Sequence, residues 1–421
     1  MGALLTGTAG DRAVDAACAI AAALSAAPPA AGSADAAPTL SGVLGAALFC
    51  TALGEATGDS AYTGTAATLL DDAVAQVAEL EHPTIGLYGA PIGLAWADAV
   101  LRPRVVPDDQ DEGETDVDRF VGNALARERW PWPNDLLHGL AGLGMYALAR
   151  LPREAARRDL ARVVAHLAAL AEEDEAGVAW RFVPAPGSSF RFNEFRPEGN
   201  VNLGFAHGMP AIVTFLAAAH RTGVPGAGEL LGPAVRWVVA QRLPPGERSA
   251  FPAYVVRGRP ATGTRLAWCY GDPGVAVALL AAGDALGDDD LVALAGEIAR
   301  GCAAQADDGV DGATLCHGSA GLGHVFHRLG RALGDEHVLG LARHWFGVAL
   351  DRHLPGLLVV DRTRAKELVA AGSTLVVEPG YGFLSGAAGA GLALLAATSD
   401  EEPWWDGALL VQPPGTWPVR R

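Results

Sequence analysis

The sequence is short of cysteine and of basic side chains, and it has no long uncharged apolar run. Its five cysteines, an odd number in a chain of 421 residues, do not suit a disulfide framework, so a reducing cytoplasm fits best. The net charge of -17 argues against nucleic acid or an anionic membrane surface as the partner. No apolar run is long enough to cross a bilayer, which argues against membrane insertion.

The beginning of the sequence also carries no basic leader. Asp11, Arg12 and Asp15 interrupt its apolar residues, so we predict a helix over 11–26 and not a signal peptide. Half of all residues are apolar and only 19% are charged, which is ample for a large buried core and argues against disorder.

A small-residue element, usually Gly-x-x-Gly, opens an apolar segment seven times along the chain. The instances begin at Ser41, Tyr88, His138, His207, Tyr270, His317 and Ser385. Their separations of roughly 46 to 70 residues suit one helical hairpin plus variable loops. Between them lie segments with helical periodicity and charges on one face, for example 66–80, 153–173 and 290–305.

The repeat predicts seven helix pairs, each an amphipathic outer helix followed by a buried inner one. Seven pairs in series close most naturally into a ring, so we predict an all-α fold, an α/α toroid, as a single domain over 1–421. Strand signals are sparse, and the best of them, from Gly177, predicts a local hairpin. Loop insertions are expected near 103–116, 174–203, 243–264 and 353–380.

Two cysteines stand at the same point of two of these elements. Cys269 precedes the fifth glycine element, and Cys316 with His317 precedes the sixth. In an up-down ring every inner helix begins at the same end, so these side chains should meet at one rim. Two thiolates and an imidazole make a three-ligand zinc site of the catalytic kind. The alternative is two buried core cysteines and a capping histidine.

Other polar residues are predicted at the same rim, namely Asp135, His207, Arg265 and Tyr270. Each has a plain alternative. Asp135 would cap a helix starting near Leu136, His207 would be a satisfied buried histidine, Arg265 a loop ion pair and Tyr270 ordinary packing. Their joint position at one end of a ring favours a functional site over these separate roles.

At these residues the chain resembles the lanthionine synthetase C-like family, the cyclases of lanthipeptide biosynthesis, over nearly its whole length. The motifs are "WCYG" at 268–271, "CHG" at 316–318, "AHG" at 206–208, "NDLLHGLAG" at 134–142 and "RLAWCYG" at 265–271. The resemblance implies that Cys269, Cys316 and His317 bind one catalytic Zn²⁺. It also implies that His207, Asp135, Arg265 and Tyr270 are the active-site residues.

The resemblance further implies a free-standing cyclase that adds a cysteine thiol of a dehydrated precursor peptide to a dehydroalanine or dehydrobutyrine of that peptide. Zinc binding would raise the thiolate fraction at neutral pH from ~3%, a gain of about 30-fold. We expect His207 to protonate the α-carbon and Arg265 to stabilise the enolate. Asp135 would orient His207 or accept the thiol proton, and Tyr270 would position either group.

The implied partners are the precursor peptide, leader plus core, and a lanthipeptide dehydratase. One departure from the family pattern stands after His207, where "HGMPA" replaces Gly-x-x-Gly. Because Pro210 suits a helix's first turn, we expect a repositioned backbone and a retained helix.

Two other functions are open to this sequence. One is a non-cyclising member of the family that binds thiols such as glutathione. The other is a zinc-dependent thiol alkyltransferase of the prenyltransferase type, although the acidic charge suits a diphosphate substrate poorly. The acidic run 288–290 lies at the start of an outer helix and is better explained as a cap.

Overall fold

The computed structural model describes residues 2–26, 28–105, 114–182, 200–305, 310, 312–354 and 380–412. These residues form fourteen α-helices and four short β-strands. The first seven helices are α1 (Gly7–Ala26), α2 (Val43–Thr57), α3 (Ser60–Ala78), α4 (Ile92–Val105), α5 (Asp116–Leu125), α6 (Leu140–Ala149) and α7 (Glu154–Leu170). The others are α8 (Met209–Arg221), α9 (Ala227–Ala240), α10 (Asp272–Leu286), α11 (Asp289–Gly301), α12 (Ser319–Leu333), α13 (Glu336–Val348) and α14 (Ala387–Thr398).

The helices alternate in character, as the repeat predicts. Each of the seven glycine elements stands directly before one even-numbered helix. Most of these helices consist mainly of small and apolar residues and are buried over most of their length; in α14 every residue from Ala387 to Ala397 is buried. The odd-numbered helices carry charges on one face and follow the pattern of surface helices, so the predicted pairs are confirmed in the described residues.

The described residues fall into two compact units. One unit takes its residues from Met1–Pro83, Gly93–Gln110 and Gly309–Trp405. Within it, the buried helix α14 packs against α2 and α12, which lie on either side of it, and also against α1. Helix α3 covers α2, and α13 covers α12.

The other unit takes its residues from Thr84–Ile92, Asp111–Asp308 and Asp406–Arg421. Here the buried helices α6, α8 and α10 are neighbours, with α8 in the middle. Helices α7, α9 and α11 pack on the outside of α6, α8 and α10 in turn. The prediction of a single domain over the whole chain stays a prediction.

Several helix limits differ from those expected. The helix predicted over 11–26 begins at Gly7, and the one predicted over 290–305 ends at Gly301 and continues as a 3₁₀ turn over Cys302–Gln305. Asp288 is the N-cap of α11, since its side chain accepts the N–H groups of residues 290 and 291. The cap interpretation of the acidic run is therefore confirmed.

The strands form two small antiparallel pairs. β1 (Glu172–Asp174) and β2 (Gly177–Ala179) make the hairpin that the sequence predicts. β3 (Val201–Asn202) pairs with β4 (Tyr254–Val255). This pairing brings together residues of two expected insertions, 174–203 and 243–264. Most of 353–380, and part of each of 103–116 and 174–203, lie outside the described residues. In the described part of the chain, no helix combines the length and the apolarity needed to span a membrane.

Candidate functional site

A buried histidine–carboxylate pair joins the starts of two inner helices in the second unit. Nδ1 of His207 lies 2.7 Å from Oδ2 of Asp135. Both residues are buried, with 6% and 1% of their surface exposed. The other carboxylate oxygen, Oδ1, accepts the backbone N–H of His138 at 2.7 Å, within a turn that ends where α6 begins at Leu140. Asp135 therefore organises this turn and holds the His207 ring, a larger role than capping a helix near Leu136.

Two further rings fix the plane of the His207 imidazole. The ring of His138 stacks on it with centroids 5.9 Å apart and planes 24° apart. Phe182 meets it edge-on at 6.0 Å. Burial lowers the pKa of His138, and the nearby His207 lowers it further, while Asp135 opposes the change. The sequence prediction missed His138, although it holds the same position in its glycine element as His207 and His317.

Tyr270 belongs to the same unit and contacts residues of both strands of the β3–β4 pair. Its hydroxyl lies 3.0 Å from Nδ2 of Asn202, and its ring centroid lies 5.5 Å from that of Tyr254. Burial raises the pKa of Tyr270, while the hydrogen bonds from Tyr254 and Asn202 oppose that change. Asp135 and Cys269 are near enough to act on Tyr270 electrostatically.

A turn at Gly271 places Cys269 and Tyr270 just ahead of α10. The φ of Gly271 is +123°, in a region that favours glycine, and a Cβ there would lie 2.3 Å from the carbonyl oxygen of Arg265. Cys269 is buried, Tyr270 is half-buried and Arg265 is exposed. Among the described residues, no hydrogen bond or ion pair joins the Arg265 guanidinium to Asp135, His207 or Tyr270.

The helix after His207 survives the departure from the glycine pattern. Helix α8 begins at Met209 with Pro210 in its first turn, where the missing N–H of proline costs no hydrogen bond. Ala211 stands where the other elements have their second glycine, and it is fully buried. The prediction of a retained helix is confirmed, and His207 is still positioned against Asp135.

Cys316 and His317 lie in the first unit, in the turn before α12. The backbone N–H of Cys316 donates to the carbonyl of Leu384 at 2.9 Å, which ties the sixth glycine element to the seventh. Both side chains are half-buried. Leu315, the preceding residue, is buried and anchors the turn in the core.

The predicted metal ligands form a cluster of donors. One ligand atom from each of Cys269, Cys316 and His317 lies within 4.8 Å of the other two. Two sulfurs bound at about 2.3 Å to a tetrahedral ion lie about 3.8 Å apart, so a cluster of this size is compatible with zinc. Two soft sulfurs and one imidazole are also the chemistry that zinc prefers.

The comparison with known protein families identifies the class of protein. The model of the family described as "Lanthionine synthetase C-like protein" matches residues 38–410, and the chain belongs to this family. The family resemblance noted in the sequence is thereby confirmed.

Two particular proteins are similar to this chain. It is 27% identical over 215 residues to the nisin biosynthesis protein NisC of Lactococcus lactis subsp. lactis. That alignment covers 48% of this chain, which spans about half, 50%, of the length of this curated relative. The solved structure of nisin cyclase matches with a TM-score of 0.71 at 22% identity, over 90% of this chain and 93% of that one. The structural match and the seven helix pairs confirm the predicted α/α toroid.

Proposed function

We propose that this protein is a zinc-dependent lanthipeptide cyclase. Its substrate would be a dehydrated precursor peptide, leader plus core, and its product a thioether ring of lanthionine or methyllanthionine. A lanthipeptide dehydratase is the proposed second partner and the cytoplasm the proposed compartment. The similarity to NisC and to nisin cyclase supports this substrate class.

The observation that carries the proposal is the cluster of Cys269, Cys316 and His317. Among the described residues it contains three donors, whereas a structural zinc site normally takes four from the protein. A zinc ion held by these residues would supply a Lewis acid that lowers the pKa of the substrate thiol. Two anionic protein ligands would keep the sulfur nucleophilic.

His207 and Asp135 are the residues proposed for proton transfer in the reaction. His207 donates its Nδ1–H to Asp135, and its other ring nitrogen, Nε2, is the atom that exchanges a proton with the substrate in this proposal. The thiol releases its proton to water, sulfur bonds to the β-carbon, and the π electrons of the double bond form an enolate. His207 delivers one proton to the α-carbon, so the reaction consumes no net proton.

The remaining residues act on charge and orientation. Asp135 holds the His207 ring in a fixed orientation through their 2.7 Å contact. We propose Arg265 as a group that reaches the enolate once the peptide is bound, since its side chain is exposed and positively charged.

The test is a thiol count on a defined peptide. The probe is a synthetic peptide with one dehydroalanine and, a few residues later, one cysteine. Cyclisation leaves the mass unchanged, so the sample is treated with iodoacetamide and analysed by mass spectrometry. We expect the alkylated species to disappear with enzyme and to persist after the protein is treated with a zinc chelator.

The same assay separates the rival function. A non-cyclising thiol-binding protein would bind glutathione or the peptide thiol and leave the thiol open to alkylation. Binding measured by calorimetry with no loss of alkylatable thiol would contradict the cyclase proposal. A panel of dehydroalanine and dehydrobutyrine peptides guards against a poor choice of sequence.

A further inference from the structure

The β3–β4 pair brings the side chains of Asn202 and Tyr254 against Tyr270. Asn202 and Tyr254 are directly opposed in the register, so their side chains leave the same face of the ladder. Nδ2 of Asn202 lies 3.0 Å from the hydroxyl of Tyr270, and the ring centroid of Tyr254 lies 5.5 Å from that of Tyr270. Nothing in the sequence motifs points to either residue.

The orientation of the Asn202 amide is determined by its second contact. Its Oδ1 accepts the backbone N–H of Gly204 at 2.7 Å, which identifies the other end as the NH₂ group. That group can only donate, so the Tyr270 oxygen must accept from it. Asn202 is 1% exposed, so close packing holds its side chain in this orientation.

The ring of Tyr270 is fixed by close packing. A Cβ at Gly204 would lie 2.4 Å from Cε1 of Tyr270, so a larger residue there would push the ring away. The strand that carries Tyr254 is anchored as well, since Asp272 at the start of α10 accepts the N–H groups of Ala250 and Phe251 at 2.8 and 3.0 Å. The hydroxyl therefore has a defined position.

A tyrosine hydroxyl has two lone pairs and one proton. Asn202 donates to one lone pair, so the O–H of Tyr270 is directed away from Asn202 and toward another acceptor. We propose that Asn202 is a positioning residue that makes Tyr270 a hydrogen-bond donor to the substrate. The acceptor is the carbonyl oxygen of the dehydro residue, which becomes the enolate oxygen.

This inference rests on the proposed cyclase function and refines it. Tyr270 keeps its proton throughout, and its hydrogen bond strengthens as negative charge develops on the oxygen. A donor already aimed at that oxygen needs no reorganisation when the charge forms. Tyr270 is half-buried, which shields the hydrogen bond from water and still leaves the ring accessible to a peptide.

The test exchanges a donor for an acceptor of the same shape. In Asn202→Asp the carboxylate still accepts the backbone N–H of Gly204. It cannot donate to the Tyr270 oxygen, so it accepts the Tyr270 O–H instead, and that O–H is no longer available to the substrate. We expect kcat to fall about 100- to 1,000-fold, as in Tyr270→Phe, with KM little changed. Asn202→Ala leaves the Tyr270 proton free, and we expect a smaller loss, about 10-fold.

The order of these two variants decides the role. If Asn202 served only packing, the isosteric Asn202→Asp would lower kcat less than Asn202→Ala does. That result would overturn the proposal. The melting temperature of each variant checks that the fold is intact, and Asn123→Asp, at an exposed position, is the matched control.

A second readout does not depend on activity. Tyrosine labelled with ¹³C at Cζ gives one resonance for each of the six tyrosines, and the one lost in Tyr270→Phe belongs to Tyr270. We expect Asn202→Asp to move this resonance and Asn123→Asp to leave it in place. No movement would overturn the hydrogen-bond assignment itself. If the resonance moves in Asn202→Asp but the wild-type protein cyclises no peptide, the hydrogen-bond assignment stands. The cyclase function, and with it the catalytic role of Tyr270, would then be refuted.

Discussion

Two histidine pairs in this protein have opposite surroundings. His138 and His207 stand in the turns before inner helices, where Asp135 contacts both of them. His324 and His327 lie inside α12 and are fully buried, His324 stacked on Trp405 at 4.7 Å. The first pair is held by the Asp135 carboxylate, whereas His327 of the second pair lies among positively charged side chains.

The surroundings of His327 lower the pKa of its imidazole. Burial lowers its pKa most, and together with the neighbours His324, Arg328, Arg331 and Arg343 it brings the pKa to about 3. His327 is therefore neutral at physiological pH and serves the core. Burial and positive neighbours act in the same direction on His327, and both favour a structural role.

The largest expected effect is at His207. His207→Asn should abolish ring formation, because no other group in the turn presents a titratable nitrogen to the α-carbon. Zinc content should stay at that of the wild type. The exposed His220, at the far end of α8, provides the matched control His220→Asn. Loss of zinc in His207→Asn would make this residue a ligand and remove the contrast with its proposed role.

Asp135→Asn tests the carboxylate itself. The amide oxygen can keep accepting the His138 N–H, but the NH₂ group then faces Nδ1 of His207 and can only donate, so it cannot accept the Nδ1–H as the carboxylate does. We expect kcat to fall about 100-fold while the melting temperature changes little. Activity near that of the wild type would show that the carboxylate charge does not distinguish the two pairs.

The His327 surroundings predict a stability that depends on pH. The folded pKa of about 3 lies below the unfolded value of about 6.5, so the unfolded chain binds the extra proton. This contribution is present above pH 6.5 and is lost as pH falls toward 3. The free energy of unfolding should therefore decrease by about 1.4 kcal/mol per pH unit in this window.

His327→Leu removes this proton uptake. Between about pH 4 and 7, the free energy of unfolding measured with denaturant should therefore depend on pH less steeply than in the wild type, by about one proton. The absolute stability is not the readout, since the substitution also changes packing. His337→Leu, at an exposed position, should keep the wild-type slope. Equal slopes in the wild type and in His327→Leu would contradict a neutral buried His327.

The smallest expected effect is at His138. Its ring offers His207 an aromatic face, and such contacts contribute about 0.5–1.5 kcal/mol, so His138→Ala should lower kcat about 2- to 10-fold. His138→Phe keeps an aromatic face and should restore most of that loss. If phenylalanine does no better than alanine, the contribution of His138 is not its ring stacking.

Much of the fold could be predicted from sequence because the glycine elements mark the start of every inner helix. The spacing also predicted Asp135 and His207 at one rim, and the structure pairs them directly. The β3–β4 contact could not be found this way. Its strands have two residues each, too short for an alternating pattern, and they pair across a long stretch of chain.

Two smaller failures have similar causes. The sequence favours a helix that starts near Leu136, whereas α6 starts at Leu140. The turn held by Asp135 resembles a capped helix in sequence, which explains the difference. Asn202 carries no recognisable motif, and its importance follows only from its contact with the Tyr270 hydroxyl. A close contact between distant segments leaves no trace in local periodicity.

The central claim is that Cys269, Cys316 and His317 hold one zinc ion. The most direct test is the metal content of purified protein by mass spectrometry, for the wild type, Cys316→Ser and, as a half-buried control, Cys18→Ser. We predict one zinc per chain in the wild type and in Cys18→Ser, and a near-complete loss in Cys316→Ser. A zinc content in Cys316→Ser equal to that of the wild type would contradict the account.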